Sequence, residues 1–428
     1  MRKVPRLKAL QILTDVLANG RPLDEAIEAF CTGGNGKGPP VAPEDRGWLV
    51  EVTSGVLRNR GRLDLAIDAY ALKKKPSGKI RKILEIAVYQ LLHQDRVFPA
   101  TVVSETVDFI KSEEGEAPAR FANALLRKIA DSRDEWSSFA APEASAPIAE
   151  KAAWANLPEW WWGKWEKAYG FETAQKIAEA SSSRPEIWFR LRPDAKDSLS
   201  FLESGPVPGS AKQKEQASAG EISSLPGYAE GKWIIQDLAS QILENRFAEI
   251  LRSKNAKSSR VLDRCAAPGG KAIALSWLGM DVTATDTNPQ RKKLLMSSVA
   301  RAAPTVKVVD ENEMASQAPF DAVWIDAPCS GSGILRRHPD VRWSKKPEDL
   351  LPLVAIQKKL IGEAFKLVPK GGLVFYTVCS LFSEEGKGHL VEVLANADCP
   401  VKIREEILLT PAGEPSSDGF YGVVFERL

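Results

Sequence analysis

From about Gln236 onward the chain alternates short apolar runs with stretches of helical spacing. This rhythm restricts the possible folds more than any other feature of the 428 residues. The apolar runs are Arg260-Val261-Leu262-Asp263, Asp281-Val282-Thr283-Ala284-Thr285, Thr305-Val306-Lys307-Val308-Val309, Ala322-Val323-Trp324-Ile325 and Gly372-Leu373-Val374-Phe375-Tyr376. Each is short and rich in residues that fit a buried strand. Between them, Pro289 to Ala302 and Leu351 to Leu367 carry helical periodicity. Strands alternating with helices give a doubly wound, Rossmann-like α/β sheet, with ligands at the carboxyl ends of the strands.

The first part reads differently. Leu7, Leu10, Leu13 and Leu17 fall on one helix face, and Leu23-Asp24-Glu25-Ala26-Ile27 opens a second helix before a Gly/Pro-rich loop from Thr32 to Pro40. Helical spacing returns in Trp48 to Arg58, Ile80 to His93, Thr101 to Lys111 and Phe121 to Lys128. No convincing strand alternation interrupts it, so an all-α bundle is expected over residues 1–145. An Ala/Ser/Pro-rich stretch from Glu143 to Pro147 reads as a linker. A helix around Phe171 to Ser181, a strand-like Ile187 to Leu191 and a polar Gly205 to Ser224 suggest a small α+β module over 150–232. The α/β domain then occupies 233–428.

Bulk composition narrows the function classes. The formal net charge is only +2, so nothing global announces nucleic acid, although a local basic patch is compatible with it. No apolar run approaches the roughly 20 residues that span a bilayer, and the basic N-terminus does not read as a signal peptide. Five scattered cysteines argue against a disulfide framework. With three histidines and no Cys-x-x-Cys, no metal site is expected. A monomer in a reducing cytoplasm fits these features.

Four segments at strand ends carry candidate chemistry. The first is Asp263-Arg264-Cys265-Ala266-Ala267-Pro268-Gly269-Gly270-Lys271, between a strand and a helix, where glycines let backbone approach a ligand. It is neither a dinucleotide fingerprint nor a P-loop, and a plain strand–helix turn reads it equally well. Asp286, about 20 residues on, is placed to accept the ribose hydroxyls of an adenosine-type cofactor or simply to cap the next helix. Asp310 repeats the pattern after the third strand, where it would meet an adenine amino group or serve as a loop carboxylate. Asp326-Ala327-Pro328-Cys329-Ser330-Gly331-Ser332-Gly333 ends the fourth strand, and Tyr376-Thr377-Val378-Cys379-Ser380 ends the fifth.

Two cysteines therefore project from neighbouring strand ends toward one crevice, unless each is only a small buried side chain. Paired thiols suit one difficult reaction. Cytosine C5 is a poor nucleophile. A thiolate adding at C6 makes C5 enamine-like, able to take a methyl group from a sulfonium donor, and loss of the C5 proton then expels the thiolate. Asp326 is placed to bond N3 or N4 of the base.

Cys-Ala-Ala-Pro-Gly-Gly-Lys at 265–271, Asp-Ala-Pro-Cys-Ser-Gly at 326–331 and Cys379-Ser380 resemble, in order and spacing, the three diagnostic motifs of the Nol/Nop/Sun family of RNA cytosine-5 methyltransferases. Gln236 to Ser240 and Asp418 to Tyr421 fit the same pattern, and the helical part is similar to NusB-like RNA-binding domains, notably in Phe121 to Lys128. The resemblance implies S-adenosylmethionine as cofactor and RNA, a small-subunit rRNA cytosine, as substrate. It implies Cys379 as nucleophile and Cys329 in product release, with Asp326 and Lys271 at the reacting centre. Cys265, Ala266, Ala267, Pro268, Gly269, Gly270, Lys271, Asp286, Arg291, Asp310 and Asp326 form the expected cofactor set. Ala272, Val378 and Gly386 depart from the family pattern, and none removes a group the chemistry requires.

For RNA, Lys73, Lys74, Lys75, Lys79, Arg81 and Lys82 form a basic run, with Arg58, Arg60 and Arg62 nearby, suited to phosphates. Arg336, Arg337 and Arg342 are expected nearer the crevice, around a flipped nucleotide. Trp160 to Trp162 are expected to fill a domain interface. Two rival readings remain at this stage. One is a DNA cytosine-5 methyltransferase attacking through Cys329. The other is a non-catalytic, antitermination-type RNA-binding protein.

Overall fold

The computed structural model describes residues 3–33, 40–72, 74–138, 140–195, 199–214, 222–254 and 259–428. It divides into two compact units, residues 1–183 with 335–347, and 184–334 with 348–428.

The first unit is helical. Its helices are α1 (Lys3–Asn19), α2 (Leu23–Cys31), α3 (Pro43–Tyr70), α4 (Gly78–His93), α5 (Pro99–Glu114), α6 (Glu116–Asp131), α7 (Arg133–Ser137), α8 (Ile148–Trp154), α9 (Glu159–Tyr169) and α10 (Phe171–Ser181). The apolar stripes converge on one core. Leu13 of α1, Ile27 of α2, Val52 and Val56 of α3, Leu84 and Val88 of α4, Ile110 of α5 and Leu126 of α6 are all buried there. Burial at these i, i+3 and i+4 positions is what holds such helices together.

The second unit holds two sheets. The smaller is antiparallel, in the order β2-β3-β1-β4: β1 (Trp188–Leu191), β2 (Leu202–Ser204), β3 (Ser210–Gln213) and β4 (Trp233–Ile235). The larger has seven strands: β5 (Arg260–Arg264), β6 (Asp281–Thr285), β7 (Lys307–Val308), β8 (Ala322–Asp326), β9 (Leu373–Val378), β10 (Val401–Leu409) and β11 (Phe420–Arg427). Their order is β10-β11-β9-β8-β5-β6-β7. Strands β5 to β9 pair in parallel, and β10 and β11 close one edge antiparallel. The order reverses between β5 and β8, the switch point at which such sheets open a ligand crevice.

Helices α11 (Leu238–Lys254), α12 (Gly270–Trp277) and α13 (Pro289–Ala302) bury Phe247, Ile273 and Leu295 in a core that includes Trp324 and Phe375 from the large sheet. A second core gathers Ile361 and Phe365 of α14 (Leu350–Phe365) with Val323, Val374 and Val423. The rings of Phe247, Trp324 and Phe375 meet at 4.3–5.1 Å.

The expected division of the chain changes here. Among the described residues, 150–232 is shared between the two units: α8, α9 and α10 belong to the helical unit, and the small sheet belongs to the α/β unit. The helices follow their buried faces. Trp161, Trp162 and Trp165 are fully buried, with Trp161 and Trp165 edge to face at 6.0 Å. Arg62 of α3 donates to the Trp154 carbonyl at 2.9 Å and lies over its indole ring.

Candidate active site

The carboxyl ends of β5, β6, β8 and β9 carry the expected residues, and the parallel register brings them level. Asp263 of β5 stands beside Ala284 of β6 and Trp324 of β8, and Asp326 beside Thr377 of β9. After β5 the chain turns through Cys265 at φ 68° and Gly269 at φ 112°. A non-glycine residue in the left-handed region is a strained position that its surroundings must hold. Here Ala266 N–H donates to Thr285 O at 2.9 Å, and Ala267 N–H donates to the Asp286 carboxylate at 3.2 Å.

Asp286 also accepts from Asn288 N–H at 2.9 Å, and Arg291 reaches back to the Ala267 carbonyl at 2.7 Å. The first loop, Asp286 and Arg291 thus form one connected wall. Asn288, not Asp286, caps α13, accepting from Gln290 and Arg291 N–H. Asp310 lies outside this wall. It closes a capping box with Glu313 and pairs with Lys292.

Lys271 and Asp326 form the next feature. Lys271 Nζ donates to Asp326 Oδ2 at 2.6 Å and lies 5.4 Å from the Phe420 ring centroid. Thr377 Oγ1 sits 3.3 Å from the other Asp326 oxygen and accepts from Trp324 Nε1 at 3.0 Å. Burial works against the Lys271 charge, but Asp326, Glu244 and Asp263 outweigh it and raise its pKa.

The two cysteines meet. Cys329 Sγ and Cys379 Sγ are 3.3 Å apart. The hydrogen bond to Cys379, then burial, then the charges of Cys379 and Glu385 push the Cys329 thiol well above its ordinary range. Cys329 is therefore held as a thiol able to donate to the Cys379 sulfur. Cys265 differs: burial first, with Asp326, Asp263 and Asp286 adding and Arg264 opposing, pushes it up to about 12.

Several residues in or beside the motifs were given no role of their own by the sequence. Asp263 is fully buried, and among the described residues no side chain hydrogen-bonds its carboxyl group. Burial, with Asp326 and Asp286 adding and Lys271 opposing, raises it to about 8. Glu385 is fully buried and accepts from Ser330 N at 2.8 Å, Ser380 Oγ at 2.6 Å and Gln357 Nε2 at 3.1 Å. No spacing rule marks Glu385; a glutamate next to Glu384 in a polar run reads as solvent-facing. Gly333 donates to Gly419 no bond but accepts one, at 2.8 Å from Gly419 N–H, while its own N–H binds Cys379 O at 2.9 Å. A Cβ on Gly333 would lie 2.0 Å from Gly419 O. Asp237 Oδ1 accepts from Ala239 and Asp418 N–H at 2.9 Å each, which joins the two flanking motifs.

The expected RNA contacts fare differently. Lys73 lies outside the described residues. Lys75 pairs with Asp68, Lys79 with Glu113 and Glu114, and Arg81 with Asp64 and Asp68, so much of the basic run is neutralised within its own unit. Arg60 pairs with the buried Glu85, and Arg58 donates to Arg336 O at 2.9 Å. Arg342 is fully buried in the helical unit. It donates to the carbonyls of Arg58, Ser181 and Leu335 at 3.0–3.2 Å, which corrects its placement around a nucleotide. Arg336 is buried as well, and Arg337 is exposed.

Comparison with known proteins supplies the family. The family model described as "16S rRNA methyltransferase RsmB/F" matches residues 248–410, and that of the NusB family matches residues 3–131. A Bacillus subtilis protein named "Probable ribosomal RNA small subunit methyltransferase B" is 30% identical over 356 residues, covering 81% of this chain and 79% of that protein. The "Ribosomal RNA small subunit methyltransferase B" of Vibrio vulnificus is 27% identical over 99% of both chains. The solved structure titled "Crystal Structure of PH0851" shares the fold over 98% of both chains, with a TM-score of 0.68 at 22% identity. With its paired strand-end cysteines and its helical NusB unit, the chain belongs to the RsmB/F family of S-adenosylmethionine-dependent small-subunit rRNA methyltransferases.

Proposed function

We propose that this enzyme methylates C5 of a cytosine in 16S rRNA through a covalent bond between the Cys379 sulfur and C6 of the ring. The observation that carries the reading is the pair of sulfurs 3.3 Å apart at the ends of β8 and β9, beside the Lys271–Asp326 ion pair. An amino-methylating or phosphate-handling site has no use for two adjacent thiols.

The cofactor suits the residues present. Asp286 and Asp326 follow or end β6 and β8 on either side of the buried Asp263 of β5. Carboxylates at that edge favour a ligand bearing a sulfonium and an ammonium. In this reading the 265–271 loop, Asp286 and Arg291 hold S-adenosylmethionine, which when bound supplies an electrophilic methyl group.

The chain's own residues do the rest. The target base must leave its stack for C6 to be reached. The Cys379 sulfur adds to C6, and the displaced electron pair moves toward C5, which takes the methyl group. Asp326, held by Lys271 and Thr377, accepts from the N4 amino group and orients the ring, while the Lys271 ammonium beside it offsets the negative charge that shifts toward the N3 edge. A base then removes the C5 proton, and the C5–H electron pair re-forms the double bond and expels Cys379 as thiolate. Cys329 suits that stage. Once the Cys379 sulfur is bonded to carbon, its hydrogen bond with Cys329, the largest of the influences that keep Cys329 a thiol, is weakened.

The rival readings lose ground with the family: small-subunit rRNA methyltransferases are neither non-catalytic factors nor DNA enzymes. Bisulfite sequencing of 16S rRNA from cells with and without this protein tests the proposal. One cytosine should lose its protection when the gene is deleted. An unchanged protection pattern overturns the proposal.

A further inference from the structure

Two loops carry the two sulfurs, one after β8 and one after β9, and backbone bonds from Ala327 N–H to Thr377 O and from Gly333 N–H to Cys379 O join them at 2.9 Å each. A buried knot of side chains behind the cysteines joins them a second time. Ser330 follows Cys329, and Ser380 follows Cys379; both side chains reach the carboxylate of Glu385. Ser330 donates to it through N–H at 2.8 Å and through its hydroxyl at 2.5 Å, and Ser380 through its hydroxyl at 2.6 Å. Gln357 of α14 adds a fourth donor at 3.1 Å and also binds the Pro328 carbonyl at 2.9 Å. Ser332 completes the knot, 2.9 Å from the Ser380 hydroxyl and accepting from Leu381 N–H at 2.7 Å. Tyr376 donates to the Glu385 carbonyl at 2.6 Å, which fixes the backbone that presents the side chain.

We propose that Glu385 is the positioning residue for the sulfur pair: its single buried carboxylate binds the residue after each cysteine and so sets the 3.3 Å separation of Cys329 and Cys379. A fully buried carboxylate is costly, and among the described residues this one has no ion-pair partner. It is compensated by hydrogen bonds alone. Only a carboxylate presents two oxygens that together accept from four donors. The arrangement also places a negative charge beside Cys329, in the direction that keeps it a thiol. The inference rests on the Cys379 reading for its catalytic consequence, but not for the geometry.

The test uses the full-length enzyme with Glu385→Ala, Glu385→Gln and the double variant Ser330→Ala/Ser380→Ala. Two readouts are taken. The first is kcat and KM on 16S rRNA. The second is the rate at which the oxidant diamide links Cys329 to Cys379, followed by the mass of the linked peptide. Glu385→Ala should lower kcat by about 10- to 100-fold with KM for RNA little changed, because displacing a reacting group by about 1 Å costs on that order. It should also slow the cysteine link about tenfold or more. Glu385→Gln, which keeps an acceptor for Ser330 N–H and Gln357, should recover part of both. Should Glu385→Ala fail to fold, the double serine variant leaves the glutamate in place and should show the same two losses. Unchanged kcat and link rate in the folded variants overturn the proposal, as does a loss confined to KM. An undiminished turnover in Cys379→Ala would instead overturn the nucleophile assignment, leaving the link rate to judge the clamp on its own.

Discussion

Cys379 and Cys329 are the same residue type, 3.3 Å apart, and the proposal gives them different work. The hydrogen bond to Cys379 and burial disfavour the Cys329 thiolate, which suits the proposed roles, attack by Cys379 and product release by Cys329. Their neighbours are equally specific. Lys271→Met should leave Asp326 without its cation and lower kcat by about 100-fold or more, with binding of RNA little affected, as expected for a group acting at the reacting centre. Single-turnover kinetics measures it; an unchanged rate would remove the pair from the mechanism. Gly333 is a steric case. A methyl group there meets the Gly419 carbonyl at 2.0 Å, so Gly333→Ala should cost about 3 kcal/mol or more, since neither backbone can yield without moving the Cys379 loop. Urea denaturation reads that loss directly.

At the scale of elements, α11 carries a second burdened carboxyl. Glu244 is fully buried and is raised to about 8 by burial, with Arg190, Lys271 and Gln236 opposing. Asp263 is raised to about 8 by the same cause. A raised carboxyl means that the folded protein keeps a proton which the unfolded chain releases near 4.5. This contribution to stability is complete below that value and is lost as pH rises toward about 8. Glu244→Gln should therefore flatten the decline in melting temperature between about pH 5 and about pH 8. An identical slope in the variant would contradict the assignment.

The elements also show what was legible in sequence. The strands β5, β6, β8 and β9 and the helix α13 were readable because β-branched runs and Asn288-Pro289 leave local signals. Strand β10 was missed although its residues alternate in exposure along its length. Charged Lys402, Arg404, Glu405 and Glu406 hide the period. The motif residues could be placed at strand ends from spacing alone. The place of Glu385, and the burial and bonding of Asp263 and the serines, could not, because they depend on segments brought together from separate strands.

The whole molecule adds a constraint that neither motif nor periodicity carries. The segment 335–347 follows the Cys329 loop in sequence but belongs to the helical unit. There Trp343 donates to Leu57 O at 2.6 Å, Asp340 accepts from Leu23 N–H at 3.2 Å, and Arg342 satisfies three carbonyls. A chain truncated to 184–428 should thus be cut first within 335–347 in limited proteolysis, while the same segment resists in the full chain; equal resistance would contradict the division. Arg342→Met should destabilise the full chain by about 3 kcal/mol, leaving buried carbonyls unpaired.

The proposed reaction requires a sulfur of this chain to bond C6 of the target cytosine. The most direct measurement is denaturing electrophoresis of the enzyme after incubation with unmodified 16S rRNA and S-adenosylmethionine, followed by mass analysis of the RNA-linked peptide. With Cys329→Ala the account predicts an accumulating protein–RNA adduct through Cys379, and with Cys379→Ala none. An adduct through Cys329, or full turnover by Cys379→Ala, would contradict it.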